Sequence, residues 1–220
     1  MKAGKSRIIT IILTIVLFIM TGCGSQPAGD SVIEIKDITN LTLDTVTVGS
    51  VTASYESNTW YPYTEENLSS PTIYLKATYG TDNVVYINVQ TTGAYIGEIT
   101  ENHRIELMKT FNDMGGYITT DVSEMRTMGG KQVIYTESTM KITDAYLDLL
   151  LQNNAITEEY IDAYGGREAL LNTAPTKQIV VYAVADGNLC TYIGTYYEEA
   201  QKQLVLDEIT VLYATTQITE

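Results

Sequence analysis

Gln178-Ile-Val-Val-Tyr-Ala-Val184, followed by Asp186-Gly187 and then Leu189-Cys-Thr-Tyr-Ile-Gly-Thr-Tyr196, is the stretch that decides the fold class. Both arms are rich in β-branched and aromatic residues, which suit a pleated, half-buried surface. Asp-Gly between them supplies the positive-φ positions that a two-residue hairpin turn requires. Two antiparallel strands are expected here. Residues 198–215 follow directly and begin with two acids, Glu198 and Glu199, which favour a helix start. Leu204 or Val205, then Ile209, Leu212 and Tyr213, give that helix an apolar stripe to lay on the sheet.

The same signals recur upstream. Leu41-Thr-Leu-Asp-Thr-Val-Thr-Val48, Gly49-Ser50 and Val51-Thr-Ala-Ser-Tyr55 read as two strands about a tight turn, and Trp60-Tyr61-Pro62-Tyr63 ends that unit. Residues 64–71 read as polar loop. Thr72-Ile-Tyr-Leu-Lys-Ala-Thr78 and Val84-Val-Tyr-Ile-Asn-Val-Gln90 form a second hairpin. The period then changes. Ile96, Ile99, His103, Leu107, Phe111 and Met114 recur every three or four residues, predicting an amphipathic helix that Gly115-Gly116 stops. Residues 117–124 and 132–139 read as strands around Thr127-Met-Gly-Gly130. Residues 144–153 and 157–171 read as short helices, the second broken or bent at Gly165-Gly166. Hairpins imply an antiparallel sheet, and the amphipathic helices must cover its apolar faces. The expected class is α+β, an antiparallel β-sheet flanked by helices, as one domain over residues 41–220 with a helical insert at about 141–175.

This order resembles the PsbP-like fold. Val51 to Pro62 carries the resemblance as a strand running into an aromatic-Pro corner. The hairpin and helix ending in Gly115-Gly116, and the run from Gln178 through Asp186-Gly187-Asn188 to the closing helix, complete it. The resemblance implies a non-catalytic accessory or binding module. The insert departs from the plain pattern, so no binding surface there carries over.

The N-terminus has a separate reading. Lys2, Lys5 and Arg7 precede an almost unbroken apolar run from Ile8 to Met20. That run is too short to cross a hydrocarbon core of about 30 Å as a helix. It reads as a secretion signal over residues 1–22. Met20-Thr21-Gly22-Cys23 resembles a bacterial lipobox, which implies a diacylglyceryl group on the Cys23 thiol and cleavage just before it. Residues 23–40 then read as lipidated cysteine and flexible tether, small and polar at first. The expected location is the outer face of the cytoplasmic membrane, lipid-anchored, on a Gram-positive surface.

Composition bounds the chemistry. Removing the signal takes three basic residues and no acid, leaving ten basic against 27 acidic residues, a formal charge of −17. A nucleic-acid partner is not expected, because such a field repels phosphate. The expected partners are the membrane, through the lipid on Cys23, and an envelope protein or wall component. His103 is the only histidine, so neither a histidine triad nor a two-histidine metal site can be assembled, and no cofactor or metal is expected. Cys190 alternates as a small apolar strand residue. Seventeen of twenty aromatic residues are tyrosines, and Trp60, Tyr61 and Tyr63 form the densest cluster. Tyrosine suits both binding surfaces and half-wet sheets. The leading expectation is a non-enzymatic binding or accessory module. Its alternatives are a sugar or wall-fragment binder using Trp60, Tyr61 and Tyr63, and a carboxylate-dependent hydrolase.

Overall fold

The computed structural model describes residues 31–63, 72–79, 83–95 and 97–219. The signal segment, Cys23, the 64–71 loop, Ile96 and the 80–82 turn lie outside the described residues. The strands are β1 Val32–Ile33, β2 Leu43–Val48, β3 Val51–Glu56, β4 Trp60–Tyr63, β5 Thr72–Tyr79, β6 Asn83–Ala94, β7 Ile118–Met128, β8 Lys131–Met140, β9 Thr176–Ala185, β10 Asn188–Tyr196 and β11 Gln217–Ile218. The helices are α1 Glu101–Asn112, α2 Asp144–Gln152, α3 Glu158–Ala163, α4 Arg167–Leu171 and α5 Lys202–Thr215.

The hairpin that decides the class forms as expected. β9 and β10 pair antiparallel from Asn188↔Ala185 to Tyr196↔Lys177. Asp186 at φ 45° and Gly187 at φ 73° make the two-residue turn. These strands sit at the centre of an eight-stranded sheet ordered β1-β7-β8-β9-β10-β6-β5-β4. Every neighbouring pair is antiparallel except β1, which runs parallel to β7. A smaller antiparallel sheet is ordered β11-β3-β2. The molecule is α+β, an antiparallel sheet with helices on both faces.

Because strand side chains alternate, β9 splits its apolar residues between two cores. Ile179, Val181, Ala183 and Ala185 join Val133, Tyr135, Cys190, Tyr192 and the α5 residues Val205, Ile209 and Leu212. That core also takes Val51, Ala53 and Tyr55, so α5 packs against both β10 and β3. Gly194 lets the helix come this close, since a Cβ there would lie 2.0 Å from Val205 Cγ1. Val180, Tyr182, Ile134, Met140 and Ile193 point the other way, into a core with α1 (Leu107, Phe111) and the insert (Tyr146, Leu147, Leu150, Ile161, Leu170).

Three expectations need correcting and one holds. The tether does not extend to residue 40. β1 pairs with β7, Ile33 is buried, and the Lys36 N–H donates to Thr210 Oγ1 at 3.0 Å, so the folded part begins ten residues earlier. The break expected in the 157–171 segment is present, because Gly165 and Gly166 hold φ 91° and 87°, outside the helical region. The 96–114 helix starts only at Glu101, leaving Ile99 buried ahead of it. The closing helix is a 3₁₀ turn, Glu199–Gln201, leading into α5, and β11 follows it.

Candidate functional site

A cavity of about 330 Å³ lies between the central sheet and the helical insert. The sheet side supplies Tyr117, Met140, Ile142, Thr176 and Tyr197, and the insert supplies Tyr164, Ala169, Leu170, Asn172, Thr173 and Ala174. Register explains the sheet side. Ile118 pairs with Met140 and Met140 with Thr176, so the start of β7, the end of β8 and the start of β9 meet at one end of the sheet.

Local signals position the insert. Thr143 caps α2, accepting the Tyr146 N–H at 3.1 Å, and its hydroxyl donates to the Gly115 carbonyl at 2.6 Å. One threonine therefore fixes the helix start and ties it to the turn before β7. Thr157 caps α3 in the same way, accepting from the Tyr160 N–H at 3.2 Å. Arg167 donates to Asp144 Oδ1 at 2.9 Å and Asp148 Oδ1 at 2.5 Å, holding α4 to α2. Tyr117 stacks on Tyr146 at 4.2 Å between ring centroids. Burial holds both phenols well above the usual tyrosine range, so both stay protonated and neutral.

The lining carries three tyrosine rings, one amide and two threonine hydroxyls, with no Asp, Glu, His, Lys, Arg or Cys. Along β8, on the same face as Met140, follow Ser138 and Thr136. Their hydroxyl oxygens are buried without a hydrogen-bond partner, as is the Tyr146 hydroxyl. An unsatisfied buried hydroxyl costs about 1–3 kcal/mol, so the core on this face of the sheet, beside the cavity, is under-satisfied. The lining itself offers apolar ring faces together with the Asn172 amide and the Thr173 and Thr176 hydroxyls.

The expected aromatic cluster is divided. Trp60 is 2% exposed and packs in the α5-side core, whereas Tyr61 is 48% exposed. A ligand cannot stack on Trp60 while the domain stays folded, so the sugar site on Trp60, Tyr61 and Tyr63 is corrected. Alternation along β4 turns Trp60 into the core and Tyr61 outward. The Lys76 ammonium lies 5.3 Å from the centre of the Tyr63 ring.

His103 is buried and structural. Its Nδ1 accepts the Thr100 N–H at 2.9 Å at the start of α1, and Nε2 lies 3.2 Å from the Tyr95 hydroxyl. Burial lowers its pKa, favouring the neutral ring that can accept this bond. Cys190 is buried and its thiol is pushed up to about 11 by burial, which leaves little thiolate at neutral pH.

The most organised carboxylate is Glu137. It accepts from the Tyr135 hydroxyl at 2.6 Å and the Lys202 ammonium at 2.7 Å. Burial opposes its charge, but these two partners outweigh it and hold the carboxyl below its usual range. Arg126 stacks 3.7 Å over the Tyr135 ring and pairs with Glu124. Both Glu137 oxygens are occupied by fixed partners, a structural pairing of β8 with α5. Among the described residues, no group of three or more His, Cys, Asp or Glu is placed to hold a metal ion.

Tyr117, Tyr197, Asn172 and Thr176 were not singled out by sequence reasoning. The available signals were the Tyr160/Tyr164 pair on the insert, of which Tyr164 lines the cavity, and the insert's departure from the plain pattern.

No family model matches the chain, and no curated protein sequence matches it. Among solved structures, the chain is similar to the solution structure of cyanobacterial PsbP (CyanoP) from Synechocystis sp. PCC 6803. The identity is 13%, the TM-score 0.42, and the match covers 91% of this chain and 99% of that one. A likeness of this size assigns neither activity nor partner.

Proposed function

We propose that this chain is a lipid-anchored, non-enzymatic binding module of the bacterial cell envelope, and that the cavity between sheet and insert holds an uncharged, hydroxyl-bearing ligand such as a wall sugar. The lining carries this reading: three tyrosine rings, Asn172, Thr173 and Thr176 surround the space without one charged side chain. In a chain of net charge −14, an uncharged pocket selects against ions and against charged peptides. Tyrosine rings suit the apolar face of a sugar ring, and the amide and hydroxyls suit its rim. Such a lining binds and orients; it offers no general acid or base with a pKa near neutrality. The anchor rests on Lys2, Lys5, Arg7, the apolar run and Met20-Thr21-Gly22-Cys23, and the site is the outer face of the membrane.

A thermal-shift screen against neutral saccharides, charged saccharides and peptides tests the ligand. A neutral saccharide at 100 times its dissociation constant adds about 2.7 kcal/mol, roughly 5–10 °C for a domain of this size. Ala169→Trp, which narrows the cavity, should abolish the shift while the protein still melts cooperatively. A shift produced only by charged ligands, or one unchanged in Ala169→Trp, counts against the reading. For the anchor, Cys23→Ser should move the protein from the membrane fraction to the soluble one.

A further inference from the structure

The chain enters the fold at one end of the sheet, and the cavity lies at the other. Ser31 accepts the Thr127 N–H at 3.1 Å, and β1 then pairs with the last residues of β7, Val32↔Thr127 and Ile33↔Met128. Cavity residue Met140 pairs with Ile118, the first residue of β7. Thr127 and Ile118 are nine residues apart on that strand, a separation of about 30 Å. Tyr117 and the insert residues 169–174 lie beyond it. From Cys23 to Ser31 the chain has eight residues, which span at most about 28 Å even when fully extended.

We infer that the cavity opens away from the membrane, at the end of the domain remote from the anchor, so that its ligand arrives from the wall or medium and is not drawn from the bilayer. The inference rests on the lipid-anchored reading above. Turning the cavity end onto the membrane would lift Ser31 by about the length of β7 and demand eight residues stretched to their limit, whereas the opposite pose leaves them slack. The excess of acidic over basic residues also disfavours lying flat against anionic headgroups. Near the membrane stand the β7–β8 turn at Gly129 and Gly130 and the β9–β10 turn at Asp186 and Gly187.

The test uses the full lipidated chain in vesicles that carry an energy-transfer acceptor on the outer headgroups. Lys131→Cys and Asn172→Cys, both at exposed positions, each take one fluorophore, since the native Cys190 is buried. Transfer from position 131 should be several-fold stronger than from position 172. Equal transfer, or stronger transfer from 172, overturns the orientation while leaving the anchor intact. Protein that fails to float with the vesicles overturns the anchor itself and the inference with it. Flotation therefore separates the two failures.

Discussion

The two faces of the central sheet are built to different standards. On the α5 face, Tyr192 donates to Thr216 Oγ1 at 3.0 Å and Thr216 donates to the Leu212 carbonyl at 2.7 Å, so buried hydroxyls are partnered. Gly194 brings α5 into direct contact with the strand. On the insert face, Thr136, Ser138 and Tyr146 bury hydroxyls without partners, and a cavity of about 330 Å³ stays open. Close packing and satisfied polar groups mark the face that holds the fold together. Unpartnered hydroxyls and an open cavity mark the other face, the one on which the proposed ligand site lies.

The largest effect should come from Glu208, the one acid buried in the α5 core among the described residues, at 3% exposure. Its Oε1 accepts the Glu56 N–H at 3.2 Å, and burial raises its carboxyl to about 8. A raised folded pKa means that its contribution to stability is full below the unfolded value near 4.3. That contribution is lost as pH rises through about 8. Glu208→Gln should therefore flatten a fall on the order of a few kcal/mol between pH 5 and pH 8, read from denaturant midpoints. If the variant keeps the wild-type slope, the α5 core does not bury this acid as described.

Gly194→Ala comes next. A methyl group 2.0 Å from Val205 forces α5 off the strand, at a cost of about 3 kcal/mol in urea unfolding. A neutral result would show that the helix is not packed so closely, and the contrast between the faces would disappear.

Thr136→Val reverses the sign on the opposite face. Removing a buried hydroxyl that has no partner should stabilise the protein by about 1 kcal/mol. Destabilisation would mean that the hydroxyl is satisfied after all. Smallest of all, Arg167→Ala should leave the denaturant midpoint almost unchanged, because its bridges to Asp144 and Asp148 are exposed. A large drop in the midpoint would make the insert a rigid part of the fold.

Local chemistry made most of the fold legible in the sequence. Asp186-Gly187 defined the central hairpin, Gly165-Gly166 interrupted the insert, and Thr157 with two following acids opened α3. β1 and β11 escaped because each is two residues long, too short to show a period, and their pairing depends on β7 and β3. Trp60 was misread because Trp60-Tyr61-Pro62-Tyr63 is aromatic on both faces, so alternation gives no phase to tell inside from outside. The cavity was illegible because Tyr117, Tyr164 and Tyr197 stand far apart in the chain and meet only when the insert folds back on the sheet.

Native-state hydrogen exchange, residue by residue, tests the contrast most directly. Amides of α5 around Ile209 to Leu212 should exchange only through global unfolding, and those of α2, α3 and α4 through openings at least about 2 kcal/mol cheaper. Equal protection of the insert and α5 would contradict the account, because the insert would then be part of the rigid core rather than the yielding wall of a binding site.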